Sequence, residues 1–152
     1  MMSTSTKPVV MLVVEDNLGD VVLFEEAVKE SRTAATTHVV GDGVTALRFL
    51  RRLPPFADAP RPDVVVLDLN LPLMTGREVL AEMAADPDLK SIAVAILTTS
   101  SSEAHLCERY TPGLCRYFVK TAAFREIQGI VREIAAHAGG ESRPGCAPAS
   151  SA

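Results

Sequence analysis

The chain alternates between two hydrophobic patterns. Short stretches that are apolar at nearly every position are each followed by a longer stretch with apolar residues at helical spacing. A continuous apolar run of about four to eight residues reads as a strand covered on both faces, and a spacing of three and four residues reads as a helix with one buried stripe. The predicted strands are residues 9–14, 36–40, 64–67, 92–97 and 116–119. The predicted helices are residues 18–31, 43–53, 75–85, 101–110 and 122–138. Leu23, Ala27 and Val28 face inward on the first helix, Leu47 and Leu50 on the second. Phe124, Ile127, Ile130, Val131 and Ile134 do so on the last. Local signals agree with these boundaries. Asn17 is an N-cap with Asp20 three residues on, and Thr75-x-x-Glu78 is a capping box. Four prolines within residues 54–62 make that stretch a loop, and Thr111-Pro112-Gly113 ends the fourth helix.

Five strand–helix units with fully apolar strands predict an α/β fold, a doubly wound parallel sheet. Residues 8–138 are expected to form this domain, residues 1–7 a disordered N-terminus and residues 139–152 a disordered Gly-, Pro- and Ser-rich tail. Aromatics make up only 5% of the chain, so Ala, Val and Leu must fill the core. A net charge of −4 argues against an electrostatic nucleic-acid binder. No apolar run approaches the ~18 residues of a membrane span, and the first residues lack a signal-peptide pattern. Three cysteines, Cys107, Cys115 and Cys146, show no metal-binding spacing. They are expected to be reduced thiols in a cytoplasmic protein, with Cys107 and Cys115 packed as small hydrophobes.

In such sheets ligands sit beyond the carboxyl ends of the strands. Glu15 and Asp16 follow the first strand, Asp68 the third, Thr98 and Thr99 the fourth, and Lys120 the fifth. Each alone is ordinary, since an acid or a lysine at a strand end is usually a solvated loop residue. Together they place three carboxylates, a hydroxyl and an ammonium on one rim. Like charges brought this close call for a cation, and hard oxygen ligands without His or Cys suit Mg²⁺. An aspartate beside a hard metal and a lysine is a competent phosphoryl acceptor.

These residues, in order, resemble the response-regulator receiver domain. The resemblance rests on Val13-Val14-Glu15-Asp16-Asn17, on Leu67-Asp68-Leu69-Asn70-Leu71-Pro72-x-Met74-x-Gly76, on Leu97-Thr98 and on Val119-Lys120. It spans residues 9–138. It implies a flavodoxin-like strand order 2-1-3-4-5 with five helices. It implies Asp68 as phosphoacceptor, with Asp16, Asp68 and the Asn70 backbone carbonyl binding Mg²⁺ and Glu15 acting through water. Lys120 would pair with a phosphoryl oxygen, Thr98 would move to bond another, and Tyr117 would turn inward behind it. The Asn70 side chain and Ser100 would line the entrance, and the small Thr99 would leave room for the phosphoryl group. The implied partner is a sensor histidine kinase. Asn17-x-Gly-Asp20 and the proline-rich insert are most similar to regulators paired with bacterial phytochromes. Beyond its own phosphotransfer and dephosphorylation the protein is not expected to be an enzyme. Its output is expected through protein–protein contacts, including a homodimer on the face of the fourth helix, fifth strand and fifth helix. Tyr110, Phe118, Phe124 and Cys107 fit that interface or the internal core equally well, and Tyr117 is as compatible with a core aromatic as with a switch.

One departure stands out. The family has proline after the strand-5 lysine, in a cis peptide, whereas Thr121 follows Lys120 here. A cis bond before a non-proline residue costs about 2.5–4 kcal/mol, so this peptide is expected to be trans, with Thr121 free to cap the last helix. Other readings fare worse. Gly41-Asp42-Gly43-Val44-Thr45-Ala46 fits a loose dinucleotide fingerprint, but it follows the second strand and lacks the matching acid. A haloacid-dehalogenase-type phosphatase needs a second aspartate where Asn70 stands. A flavin site would want aromatics that are scarce here. A pseudo-receiver, binding partners without phosphorylation, has only Thr121 in its favour.

Overall fold

The computed structural model describes residues 7–99 and 101–139. Five parallel strands, β1 (Val9–Val14), β2 (Ala35–Val40), β3 (Val64–Asp68), β4 (Ala93–Thr98) and β5 (Cys115–Val119), form one sheet in the order β2-β1-β3-β4-β5. Helices α1 (Leu18–Glu30), α2 (Gly43–Leu50), α3 (Gly76–Ala85) and α4 (Phe124–Gly139) and a 3-10 segment (Ser101–Arg109) connect them. The fold class and strand order agree with the sequence.

The strands read as unbroken apolar runs because both faces of the sheet are covered. Leu12, Val14, Val65, Leu67, Val94 and Ile96 meet Leu47 and Leu50 of α2 and Val79 and Met83 of α3. Met11, Val13, Val64, Val66 and Ala95 meet Phe24 and Ala27 of α1 and Ile127, Val131 and Ile134 of α4. The caps form as expected. Asn17 accepts the Asp20 N–H at 3.0 Å, and Thr75 and Glu78 exchange both bonds of a capping box. No helix among the described residues is long and apolar enough to cross a membrane.

Several local expectations are revised. The second helix stops at Leu50, and Arg52 takes a left-handed φ of 55°. The fourth helix is a 3-10 segment ending at Arg109, and Tyr110 leaves it to plug the core, donating its hydroxyl to the Ile92 carbonyl at 2.8 Å. Tyr110 and Phe118 are therefore core residues and not interface candidates. Gly139, assigned to the tail, is the last residue of α4. Cys107 and Cys115, expected as reduced thiols, are paired in a disulfide. The turn after the 3-10 segment returns the chain to the start of β5 and sets the two Cα atoms 5.1 Å apart, within disulfide reach. Cys146, Ser100, residues 1–6 and the rest of the tail lie outside the described residues.

His137 on α4 ties the far end of the sheet. Its Nε2 lies 3.2 Å from the Val94 carbonyl and 3.0 Å from that of Leu114. Burial holds its pKa below the ordinary 6.5, against the raising effect of those two carbonyls. A depressed folded pKa gives stability that is present above 6.5 and lost as pH falls through the folded value. Chemical denaturation from pH 7.5 to 5.5 should therefore show a steeper loss in the wild type than in His137→Gln. Parallel curves would contradict this role.

Candidate functional site

Strand register builds the site. Val14 lies opposite Leu67, so Glu15 emerges beside Asp68 at the end of β3. Asp68 lies opposite Leu97, and Thr98 opposite Val119, which puts Thr98 and Lys120 on the same rim. The Lys120 N–H donates to the Thr98 carbonyl at 2.6 Å and extends the ladder one residue past β5. Among the described residues only the Pro54–Pro55 peptide is cis, so Lys120–Thr121 is trans, as its cost predicts. The Thr121 hydroxyl accepts the Ala123 N–H at 3.0 Å and donates to Glu126 at 2.8 Å, steadying the start of α4.

Asp68 and Glu15 are nearly buried, at 5% and 6% exposure. Lys120 Nζ sits among three carboxylates: 2.9 Å from Glu15 Oε1, 2.9 Å from Asp20 Oδ2 and 3.2 Å from Asp68 Oδ2. Burial alone would lower the lysine pKa, but hydrogen bonds to Glu15 and Asp20 and the charge of Asp68 outweigh it and hold it above the lysine range. Burial raises the Glu15 pKa above 4.5, and Lys120 and the Asn17 N–H offset this only in part. Both shifts are upward because Glu15 is more deeply buried than the ammonium it faces. The other Glu15 oxygen accepts the Asn17 N–H at 3.1 Å, and Asp68 Oδ1 accepts the Asn70 N–H at 3.1 Å.

Glu15, the exposed Asp16 and Asp68 each present a carboxylate oxygen within 4.8 Å of the others. Three hard, anionic oxygens, two on buried groups, suit a divalent cation of the Mg²⁺ or Mn²⁺ kind. The exposed Asn70 lies two residues past Asp68, and Thr99 lines a cavity of about 330 Å³ that reaches from Asp68 and Lys120 between α1 and α4. Thr98 is buried, and its hydroxyl donates to Glu103 Oε1 at 2.7 Å. Tyr117 points outward at 41% exposure, with Val119 exposed beside it on the same face of β5. Gly76 presses the start of α3 against the Asp68 backbone, a contact closer than any side chain would permit.

Sequence reasoning missed two features. Asp20 enters the sequence reading through the helix cap and the Asn17-x-Gly-Asp20 motif but not as a site residue, yet it is a partner of Lys120. The usable signal was its position in the first turn of α1, which opens on the rim. The second is Glu103, which joins Thr98 to Arg77, with which it forms an ion pair.

Residues 11–132 match the family described as the response regulator receiver domain. The response regulator Rcp1 of Synechocystis sp. is 39% identical over 134 residues, covering 86% of this chain and 91% of that protein. The crystal structure of the phosphorylated cyanobacterial phytochrome response regulator RcpA superposes with a TM-score of 0.74 at 38% identity, covering 85% of this chain and 92% of that one. The Mn²⁺-bound form of Rcp1 gives 0.72 at 38% identity, over 81% of this chain and 91% of that one.

Proposed function

The chain belongs to the response-regulator receiver family of two-component signalling, and on that premise we propose that it accepts a phosphoryl group from a sensor histidine kinase on Asp68. The observation that carries this is the placement of one nearly buried aspartate within hydrogen-bonding distance of Lys120 and within reach of Glu15 and Asp16. An Asp68 carboxylate oxygen attacks the phosphorus of a phosphohistidine. The P–N bond breaks, the imidazole leaves with the bonding pair and takes a proton, and an acyl phosphate remains on Asp68. Lys120, freed from part of its carboxylate cage, neutralises a phosphoryl oxygen. Glu15, Asp16, Asp68 and the Asn70 carbonyl would hold Mg²⁺, whose chemistry is to neutralise charge on the transferring group. The Thr98 hydroxyl exchanges Glu103 for a phosphoryl oxygen, and Tyr117 turns inward behind it. That change biases a pre-existing equilibrium, read out on the face that carries Tyr117 and Val119, including by self-association. The likeness to the phytochrome response regulator RcpA supports a phytochrome-class kinase as the partner, and the setting proposed for this exchange is the cytoplasm. No reaction other than the protein's own phosphorylation and dephosphorylation is assigned.

Incubation with acetyl phosphate and Mg²⁺ should add about 80 Da, the mass of one phosphoryl group, in a base-labile linkage. Asp68→Asn should stay unmodified, and EDTA should prevent the addition to wild type. Wild-type protein that takes neither acetyl phosphate nor beryllofluoride would favour a phosphorylation-independent binding module instead.

A further inference from the structure

The 3-10 segment is tied to the site at both ends. Near its start, Glu103 accepts the Thr98 hydroxyl and pairs with Arg77 of α3. Near its end, Cys107 is bonded to Cys115, the first residue of β5, the strand that leads through Tyr117 to Lys120. Runs of 3-10 helix beyond about four residues are uncommon because their hydrogen bonds are poorly aligned. A segment of 9 residues therefore depends on such ties to keep its shape. Both cysteines are partly buried against the core on the α2–α3 side, so they are neither sealed off from a small reagent nor freely flexible.

We propose that Cys107 and Cys115 form a redox-modification site that sets how readily Thr98 leaves Glu103, giving the receiver a thiol–disulfide input beside its phosphoryl input. This rests on the receiver reading above. In the oxidised state the covalent tie fixes the segment to the sheet edge and keeps the Glu103 carboxylate on Thr98. In the reduced state that covalent tie is absent, the segment yields more readily, and Thr98 moves to a phosphoryl oxygen at lower cost. The oxidant is a low-molecular-weight disulfide. One cysteine thiolate attacks it, forming a mixed disulfide and releasing one small thiolate. The second cysteine thiolate then attacks the protein sulfur, releasing the other small thiolate and closing the Cys107–Cys115 bond. A dithiol reverses both steps.

Wild-type protein would be treated with oxidised glutathione or with dithiothreitol, freed of reagent, and titrated with beryllofluoride in the presence of Mg²⁺ by calorimetry. Alkylation and intact mass verify the states: of the 3 cysteines, one should react after oxidation and all after reduction. Reduced protein should bind at least about fivefold more tightly, the low end of couplings between sites. Cys107→Ser should match the reduced wild type under both treatments, and Glu103→Ala should erase the difference. Three reactive thiols after oxidation, equal affinities in the two states, or a difference that persists in Cys107→Ser would each overturn the proposal. Normal phosphorylation of Asp68 with redox-independent affinity would sink this inference alone. Loss of both phosphorylation and beryllofluoride binding would sink the receiver reading with it.

Discussion

Lys120→Met should slow acyl-phosphate formation by about a hundredfold or more, the scale seen when a preorganised charge-stabilising group is removed. It should also lower stability in metal-free buffer. The Lys120 ammonium is the cation shared by Glu15, Asp20 and Asp68. Methionine keeps most of the side-chain volume and removes the charge, leaving two nearly buried carboxylates facing one another. Breaking a fully buried pair costs about 3–5 kcal/mol, but this ammonium is 20% exposed, so about 2 kcal/mol is the expected scale. The pH dependence has a definite sign. The raised lysine pKa means that its contribution is fully present below 10.5 and lost only as pH rises through the still higher folded value. The raised Glu15 pKa means that its charge is a cost at neutral pH, one that is relieved as pH falls towards 4.5. The gap between wild type and variant should thus be widest near pH 7–8 and shrink on acidification. Mg²⁺ should narrow it too, because a divalent cation replaces the missing positive charge. Urea titrations with and without MgCl₂ at two pH values measure both effects. Equal metal-free stability, or a gap that Mg²⁺ leaves unchanged, would refute this electrostatic account.

The parts of this molecule that were legible in the sequence are those where one physical demand dominates. Val64–Asp68 and Ala93–Thr98 are central strands covered on both faces, so their apolar runs mark them almost to the residue. The edge strands are less sharply defined. Cys115 and Ala35 extend their strands beyond the predicted starts because backbone pairing continues where side-chain burial is only partial. The rim acids and Lys120 were legible because the chain leaves each parallel strand at the same edge of the sheet. Their mutual distances were not. The Lys120–Asp20 contact joins residues 100 apart and depends on how α1 leans over the rim. The segment after β4 was hardest to read. Its residues are mostly polar, no strong apolar period distinguishes a 3-10 from an α-helix, and the Cys107–Cys115 pairing depends on a turn whose closure only the fold reveals.

Gly76→Ala should destabilise the protein by about 3 kcal/mol, at the upper end of overpacking costs, and impair phosphorylation although position 76 carries no chemistry of its own. As a sequence feature, Thr75-Gly76 is explained by capping alone. A Cβ on Gly76 would collide with the Asp68 carbonyl oxygen and stand 2.7 Å from Leu69 Cα and 3.0 Å from the Asp68 carbonyl carbon. These are backbone atoms of the strand end that presents the Asp68 carboxylate, so no side-chain rotamer can make room. Gly76 does not have a left-handed φ, the glycine of that kind among the described residues being Gly113, so the penalty is one of space and not of backbone conformation. The Gly76 N–H donates to the Leu69 carbonyl at 3.1 Å, so pushing α3 outward would also break the bond that closes this loop. Relaxation therefore has to move Asp68 itself, away from Lys120 and from the oxygens of Glu15 and Asp16. Gly129→Ala is the matched control, since that position on α4 has open space around it. It should gain about 0.5–1 kcal/mol from helix propensity and leave phosphorylation unchanged. If Gly76→Ala were as stable as the wild type and took acetyl phosphate at the same rate, the close approach of α3 to Asp68 would not be what positions the acceptor.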